Sequence, residues 1–116
     1  MLRFSVVHFG RFSFTNPLAS NMKILIVDDH DFFRLGVSTL LESSISPLIL
    51  LEAENGKKAL EIMQNQILDL VILDISMPVM NGVEVLRYLK KTGLKSFKIL
   101  VLTLYNEPVV VHQLLE

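Results

Sequence analysis

Apolar and polar positions fall into short blocks that alternate along the chain. Lys23–Val27 is an apolar run ended by three polar residues, Asp28-Asp29-His30, which predicts a buried strand. Asp31–Glu42 then spaces Phe33, Gly36, Val37, Leu40 and Leu41 as one helix face. Leu48–Ala53 predicts a second strand, entered at Pro47. Asn55 can cap a helix over Gly56–Asn65 with Ala59, Leu60 and Met63 inward. Leu70–Leu73 predicts a third strand, with Asp74 at its carboxyl end. Asn81 can cap Gly82–Lys91, whose inward face is Val83, Leu86 and Leu89, and Gly93 can stop it. Lys98–Leu102 predicts a fourth strand ending at Thr103, and Asn106 opens a last helix with Val110, Val111, Leu114 and Leu115 on one face. Strands and helices of these lengths in alternation imply an α/β fold, a parallel sheet covered on both faces.

The first 21 residues break the pattern. They hold four of the seven Phe, carry Arg3 and Arg11, and contain no acidic residue. His8, Gly10 and Arg11 interrupt the apolar stretch, so no signal-peptide core forms. Asn16-Pro17 marks a turn. The expected organisation is an extension over residues 1–21, a poorly ordered tail or an over-called start, followed by one domain over 22–116; the alternative is that the Phe residues of the extension cover an apolar patch on the domain or on a partner.

Composition narrows the chemistry. A chain of 116 residues has room for one domain, and 51% hydrophobic with 20% charged residues is ordinary for a globular one. A net charge of −1 argues against direct nucleic-acid binding by this chain. No cysteine is present, which removes disulfides, thiolate nucleophiles and zinc–thiolate sites and suits a cytoplasmic protein. No apolar run approaches the roughly 18 residues that a bilayer requires, so no membrane role is expected.

Ligands of open parallel sheets bind beyond the carboxyl ends of the strands, where strand order reverses. Asp28, Asp29 and Asp74 all fall at such ends. If the strands are neighbours, the carboxylates meet and repel one another, and a hard divalent cation such as Mg²⁺ resolves the conflict. A carboxylate beside Mg²⁺ can accept a phosphoryl group, and Thr103 could donate its hydroxyl to a phosphoryl oxygen.

The segments Ile24–His30, Asp74-Ile75-Ser76-Met77-Pro78 with Gly82, and Leu102-Thr103 resemble the receiver domain of two-component response regulators. Asp28-Asp29-His30 followed by Arg34, Leu35, Gly36 and Val37 is similar to the NarL/LuxR-type subgroup. The resemblance implies a flavodoxin/CheY-like doubly wound sheet in the order 2-1-3-4-5. It implies Asp74 as phosphoacceptor, Asp29 as direct Mg²⁺ ligand and Asp28 as a ligand mainly through water. It also implies the Ser76 backbone carbonyl as a ligand and Thr103 as switch hydroxyl. The phosphodonor would be a sensor histidine kinase or a small acyl phosphate, and the product a switch with at most self-phosphorylation and slow autodephosphorylation. Output would be transcriptional, through a DNA-binding domain not present in this chain.

One departure accompanies the match. The family carries a Lys on a fifth strand, about twenty residues past the switch hydroxyl, whereas thirteen residues follow Thr103 here. The expectation is an incomplete receiver without the fifth strand and fifth helix. Its fourth strand would then be an exposed edge, prone to aggregation or homodimerisation. An aspartyl-phosphate hydrolase is disfavoured because Ser76 stands where its second acid should be, and a flavin site because Asp28-Asp29 would repel the phosphate. An inert fragment that folds without switching stays open. His30 reads as a neighbour of the site more than a ligand, and Phe32 as a minor kinase contact.

Overall fold

The computed structural model describes residues 2–8, 21–93 and 97–104; for 2–8, 103 and 104 the description is of the backbone alone. Its elements in order are β1 (Leu2–His8), β2 (Met22–Val27), α1 (Asp31–Ser44), β3 (Leu48–Ala53), α2 (Gly56–Asn65), β4 (Leu70–Asp74), α3 (Gly82–Thr92) and β5 (Lys98–Leu104). The helix expected from Asn106 lies outside the described residues.

The strands form one sheet in the order β1-β5-β4-β2-β3. β3, β2, β4 and β5 are parallel. This is the doubly wound order implied by the sequence, with the reversal between β2 and β4. The inner parallel strands β2 and β4 read as nearly continuous apolar runs because helices cover both sheet faces. Leu25, Val27, Val71, Leu73, Ile99 and Val101 point to one side, where Ala59, Leu60 and Met63 of α2 and Val85, Leu86 and Leu89 of α3 pack on them. Ile24, Ile26, Ile72 and Leu102 point to the other, against Phe33, Val37 and Leu41 of α1.

The caps follow local chemistry. Asn55 accepts a hydrogen bond from the Lys58 amide. Asn81 and Glu84 form a reciprocal capping box, and Gly93 closes α3 in the left-handed conformation at φ 74°. The inward faces differ in detail from expectation. Leu40 is 68% exposed and Gly36 is also exposed, because α1 lays only a narrow stripe on the sheet. Val85 takes the buried place expected of Val83, which is half-buried.

The edge is where the structure corrects the sequence. Leu2–His8, expected to be a tail, runs antiparallel along β5 through seven residue pairs, from Leu2 opposite Leu104 to His8 opposite Lys98. The fourth parallel strand is therefore not an exposed edge. The physical reason lies in the alternation of Leu2, Phe4 and Val6 with Arg3 and Ser5. It places those three apolar residues in register with Leu104, Leu102 and Leu100, while the unpaired backbone groups of β5 gain partners.

Candidate functional site

The site is built by strand adjacency. β2 and β4 are neighbours, with Val27 opposite Leu73, so Asp28 and Asp74 leave the sheet side by side. The Asp28 amide donates to the Ala53 carbonyl at 3.1 Å, which carries the β2 alignment one residue past the strand. Asp28 and Asp74 are buried, at 4% and 6% exposure. Asp29 and His30 complete the group: ligand atoms of Asp28, Asp29, His30 and Asp74 all lie within 4.8 Å of one another. Asp28, His30 and Asp74 open on a cleft of about 680 Å³ that Phe33 and Leu102 help to line.

His30 sits over the carboxylates. Its amide donates to Asp28 Oδ1 at 2.7 Å, and its ring Nδ1 lies 2.8 Å from the same oxygen. Nδ1 is also 3.0 Å from Asp29 Oδ1. One N–H cannot serve both oxygens equally, and Asp29 Oδ1 is left buried without a hydrogen bond. The hydrogen bond to Asp28, then the charges of Asp29 and Asp28, raise the imidazole pKa above its usual value.

Asp74 is pushed up to about 6, first by burial and then by the charge of Asp28; a hydrogen bond from the Ser76 amide opposes the shift. That amide donates to Asp74 Oδ1 at 3.1 Å. The loop after Asp74 is held tightly. The Ile75 amide reaches the Leu102 carbonyl at 3.3 Å, and the Gly82 amide reaches the Ile75 carbonyl at 2.9 Å. A Cβ on Gly82 would stand 2.5 Å from the Asp74 carbonyl oxygen and 2.7 Å from Ile75 Cα. The glycine of the Asp74…Gly82 spacing is thus required by the approach of α3 to the Asp74 peptide. Val79, in the same loop, holds a positive φ of 70°.

Of the residues singled out in the sequence, Asp28, Asp29 and Asp74 come together, with Ser76 two residues beyond Asp74. Thr103 lies in β5 opposite Arg3, one residue past the Leu102 that pairs with Asp74; its side chain is outside the described residues. His30 is closer to the centre than expected. Arg34 and Glu52 were not singled out as site residues, and they brace the loop of Asp28. The Arg34 side chain is 15% exposed and bonds Asp28, Asp31 and Glu52. The advance signals for Arg34 are its place in the subgroup motif and the Asp31–Arg34 spacing of one helical turn; Glu52 has none.

The donor set suits a hard divalent cation. Three carboxylates converge, one carries a buried oxygen that accepts no hydrogen bond, and one has its ionisation opposed by its surroundings.

This chain belongs to the response regulator receiver domain family, whose model matches residues 24–116. It is similar to the probable transcriptional regulatory protein NarL of Mycobacterium tuberculosis, with 32% identity over 102 residues, covering 88% of this chain and 47% of that protein. A putative transcriptional regulator of Pseudomonas aeruginosa is 45% identical over 84 residues, covering 72% of this chain and 40% of the relative. The chain therefore spans less than half the length of these curated relatives. Among solved structures, the receiver domain of the putative response regulator NarL from Mycobacterium tuberculosis superposes with a TM-score of 0.73 at 31% identity, covering 84% of this chain and 77% of that one. A MaeR response regulator bound to beryllium trifluoride gives 0.68 at 26% identity, covering 79% and 75%. Receiver domains of this family generally bind Mg²⁺ through acidic residues and act with sensor histidine kinases. Among the described residues no helix is long and apolar enough to cross a membrane.

Proposed function

We propose that this chain is the phosphoacceptor receiver of a NarL-type response regulator, and that Asp74 takes the phosphoryl group. The observation that carries the reading is the convergence of Asp28, Asp29 and Asp74 within 4.8 Å at the strand-order reversal. Asp29 would hold Mg²⁺ directly, with Asp74 and the Ser76 carbonyl, and Asp28 mainly through water. The bound cation would neutralise phosphoryl oxygens that the carboxylates otherwise repel. Asp74 attacks phosphorus through a carboxylate oxygen. The P–N bond of a phosphohistidine on a sensor kinase breaks, and its electron pair returns to the imidazole. Burial leaves the Asp74 carboxylate poorly solvated, which favours attack. The Ser76 amide donates to Asp74 Oδ1 at 3.1 Å and so helps to hold the carboxylate in place. The Thr103 hydroxyl would turn toward the phosphoryl oxygens and report the modification to β5. Transcriptional output would pass through a DNA-binding domain outside this sequence, in the cytoplasm.

A second reading is a receiver that folds and binds the cation without switching. It is favoured by one observation: Leu2–His8 runs antiparallel along β5, on the side where the family's fifth strand would pair.

Incubation with acetyl phosphate and Mg²⁺, followed by intact-mass analysis, tests the first reading. One base-labile phosphoryl adduct is expected, absent in Asp74→Asn and absent when a chelator removes the metal. An adduct that persists in Asp74→Asn refutes the assignment. Modification that leaves the amide spectrum of β5 unchanged favours the second reading.

A further inference from the structure

We infer that Arg34 is a positioning residue for the cation site: its guanidinium fixes the Asp28–Asp29 peptide and thereby aims the Asp29 carboxylate. The inference rests on the proposed role of Asp28, Asp29 and Asp74.

Each nitrogen of the guanidinium has a different partner on a different part of the chain. Nη1 donates to the Asp28 backbone carbonyl at 2.5 Å. Nη2 meets Asp31 Oδ1 at 2.5 Å, across the first turn of α1. Nε donates to Glu52 Oε1 at 3.2 Å, near the carboxyl end of β3. The side chain is 15% exposed, while Asp31 and Glu52 are 85% and 50% exposed. The two ion pairs face water, and pairs of that kind contribute little to stability. Their effect is to orient the fork so that Nη1 faces the carbonyl of a buried residue.

That carbonyl belongs to the peptide joining Asp28 to Asp29. The preceding peptide is already held, since the Asp28 amide donates to Ala53. The Asp28 side chain is held too, through the His30 amide at 2.7 Å. The 28–29 peptide plane is what remains to set the direction in which Asp29 leaves the chain. Asp29 Oδ1 accepts no hydrogen bond; it faces the His30 ring at 3.0 Å, but that Nδ1 lies closer to Asp28, at 2.8 Å, and the ring is 62% exposed, so the contact alone holds Asp29 loosely. Its aim is inherited from the backbone, and Arg34 grips the backbone there. A lysine keeps the charge but has a single nitrogen, so it cannot hold α1, β3 and the carbonyl together.

The test measures Mg²⁺ binding alone by calorimetry on the full chain, with urea midpoints alongside, for the parent and for Arg34→Lys, Arg34→Gln, Glu52→Gln and Asp29→Ala. Arg34→Lys and Arg34→Gln are each expected to weaken Mg²⁺ binding about 10-fold, the range seen when partners behind metal ligands are removed. Glu52→Gln is expected to weaken it less. The carbonyl carbon of Asp28 and the amide of Asp29 should shift in both Arg34 variants before any metal is added. If Arg34→Gln does not fold, Arg34→Lys, which keeps the stem and the charge, decides. Parent-like affinity in Arg34→Lys means that charge alone suffices and overturns the inference. So does a lowered urea midpoint with unchanged Mg²⁺ affinity, which is the mark of a merely structural residue. Loss of binding in Asp29→Ala with parent-like Arg34 variants overturns the role of Arg34 and leaves the site intact. Parent-like binding in Asp29→Ala removes the site itself, and the inference with it.

Discussion

Replacing Asp74 with asparagine should stabilise the metal-free protein, even though it removes the proposed phosphoacceptor. The carboxyl group is raised from 3.8 to about 6, chiefly by burial and then by Asp28. A carboxylate with a raised native pKa binds its proton more tightly folded than unfolded. Ionising it therefore favours the unfolded state, and stability falls as pH rises through that interval. At about 1.4 kcal/mol for each pH unit, the cost near pH 7.5 is about 3 kcal/mol. Asparagine has nearly the same shape, can still accept from the Ser76 amide through its side-chain oxygen, and carries no charge to desolvate. The advantage of Asp74→Asn should be about 3 kcal/mol at pH 7.5, about half that at pH 5, and small near pH 4, where Asp74 is neutral in the folded state and nearly half protonated in the unfolded one.

His30 titrates in the same region with its own sign. Its raised pKa means that its contribution to stability is complete at low pH and is lost as pH rises through the folded value. Because it is present in both proteins, it largely cancels in the difference. Urea unfolding in the presence of a chelator, followed by circular dichroism at pH 7.5, 5 and 4, is the assay. With a slope of about 1.5 kcal/mol/M, typical of a small domain, the midpoint should rise by about 2 M at pH 7.5. Excess Mg²⁺ should shrink the gap, because the cation stabilises the parent through the charge that asparagine lacks. Equal midpoints at pH 7.5 without metal, or a gap that does not narrow in acid, would refute the claim that burial and Asp28 strain the Asp74 carboxylate.

Two further outcomes are expected. Gly82→Ala should cost about 2–3 kcal/mol in urea unfolding, because the added Cβ meets the Asp74 carbonyl at 2.5 Å and backbone cannot yield as a side-chain tip can; an unchanged midpoint would show that α3 can move off the Asp74 peptide. Deleting Leu2–His8 unpairs the outer edge of β5, so light scattering should show association that grows with concentration; a variant that stays monomeric would show that the edge is protected by other means.

What could be read in the sequence and what could not divides along sequence separation. The parallel strands announce themselves, because burial on both faces demands a largely apolar run, and α2 and α3 show their stripes and their asparagine caps within a dozen residues. The acidic triad was legible for the same reason. A parallel sheet sends every strand's carboxyl end to one side, so residues just past two strands must be near if the strands are neighbours, and β2 and β4 are. The pairing of Leu2–His8 with Lys98–Leu104 had no such local mark. Its alternation is also that of many exposed extensions, and only the open edge of β5, far along the chain, selects it. The Arg34 fork is the same problem at the scale of one side chain. Its partners Asp28, Asp31 and Glu52 come from a strand end, a helix start and another strand, and nothing in residues 28–34 alone points to Glu52. The chemistry of the site is thus written locally in its carboxylates. The aim of those carboxylates is set by contacts between segments, which only the fold brings together.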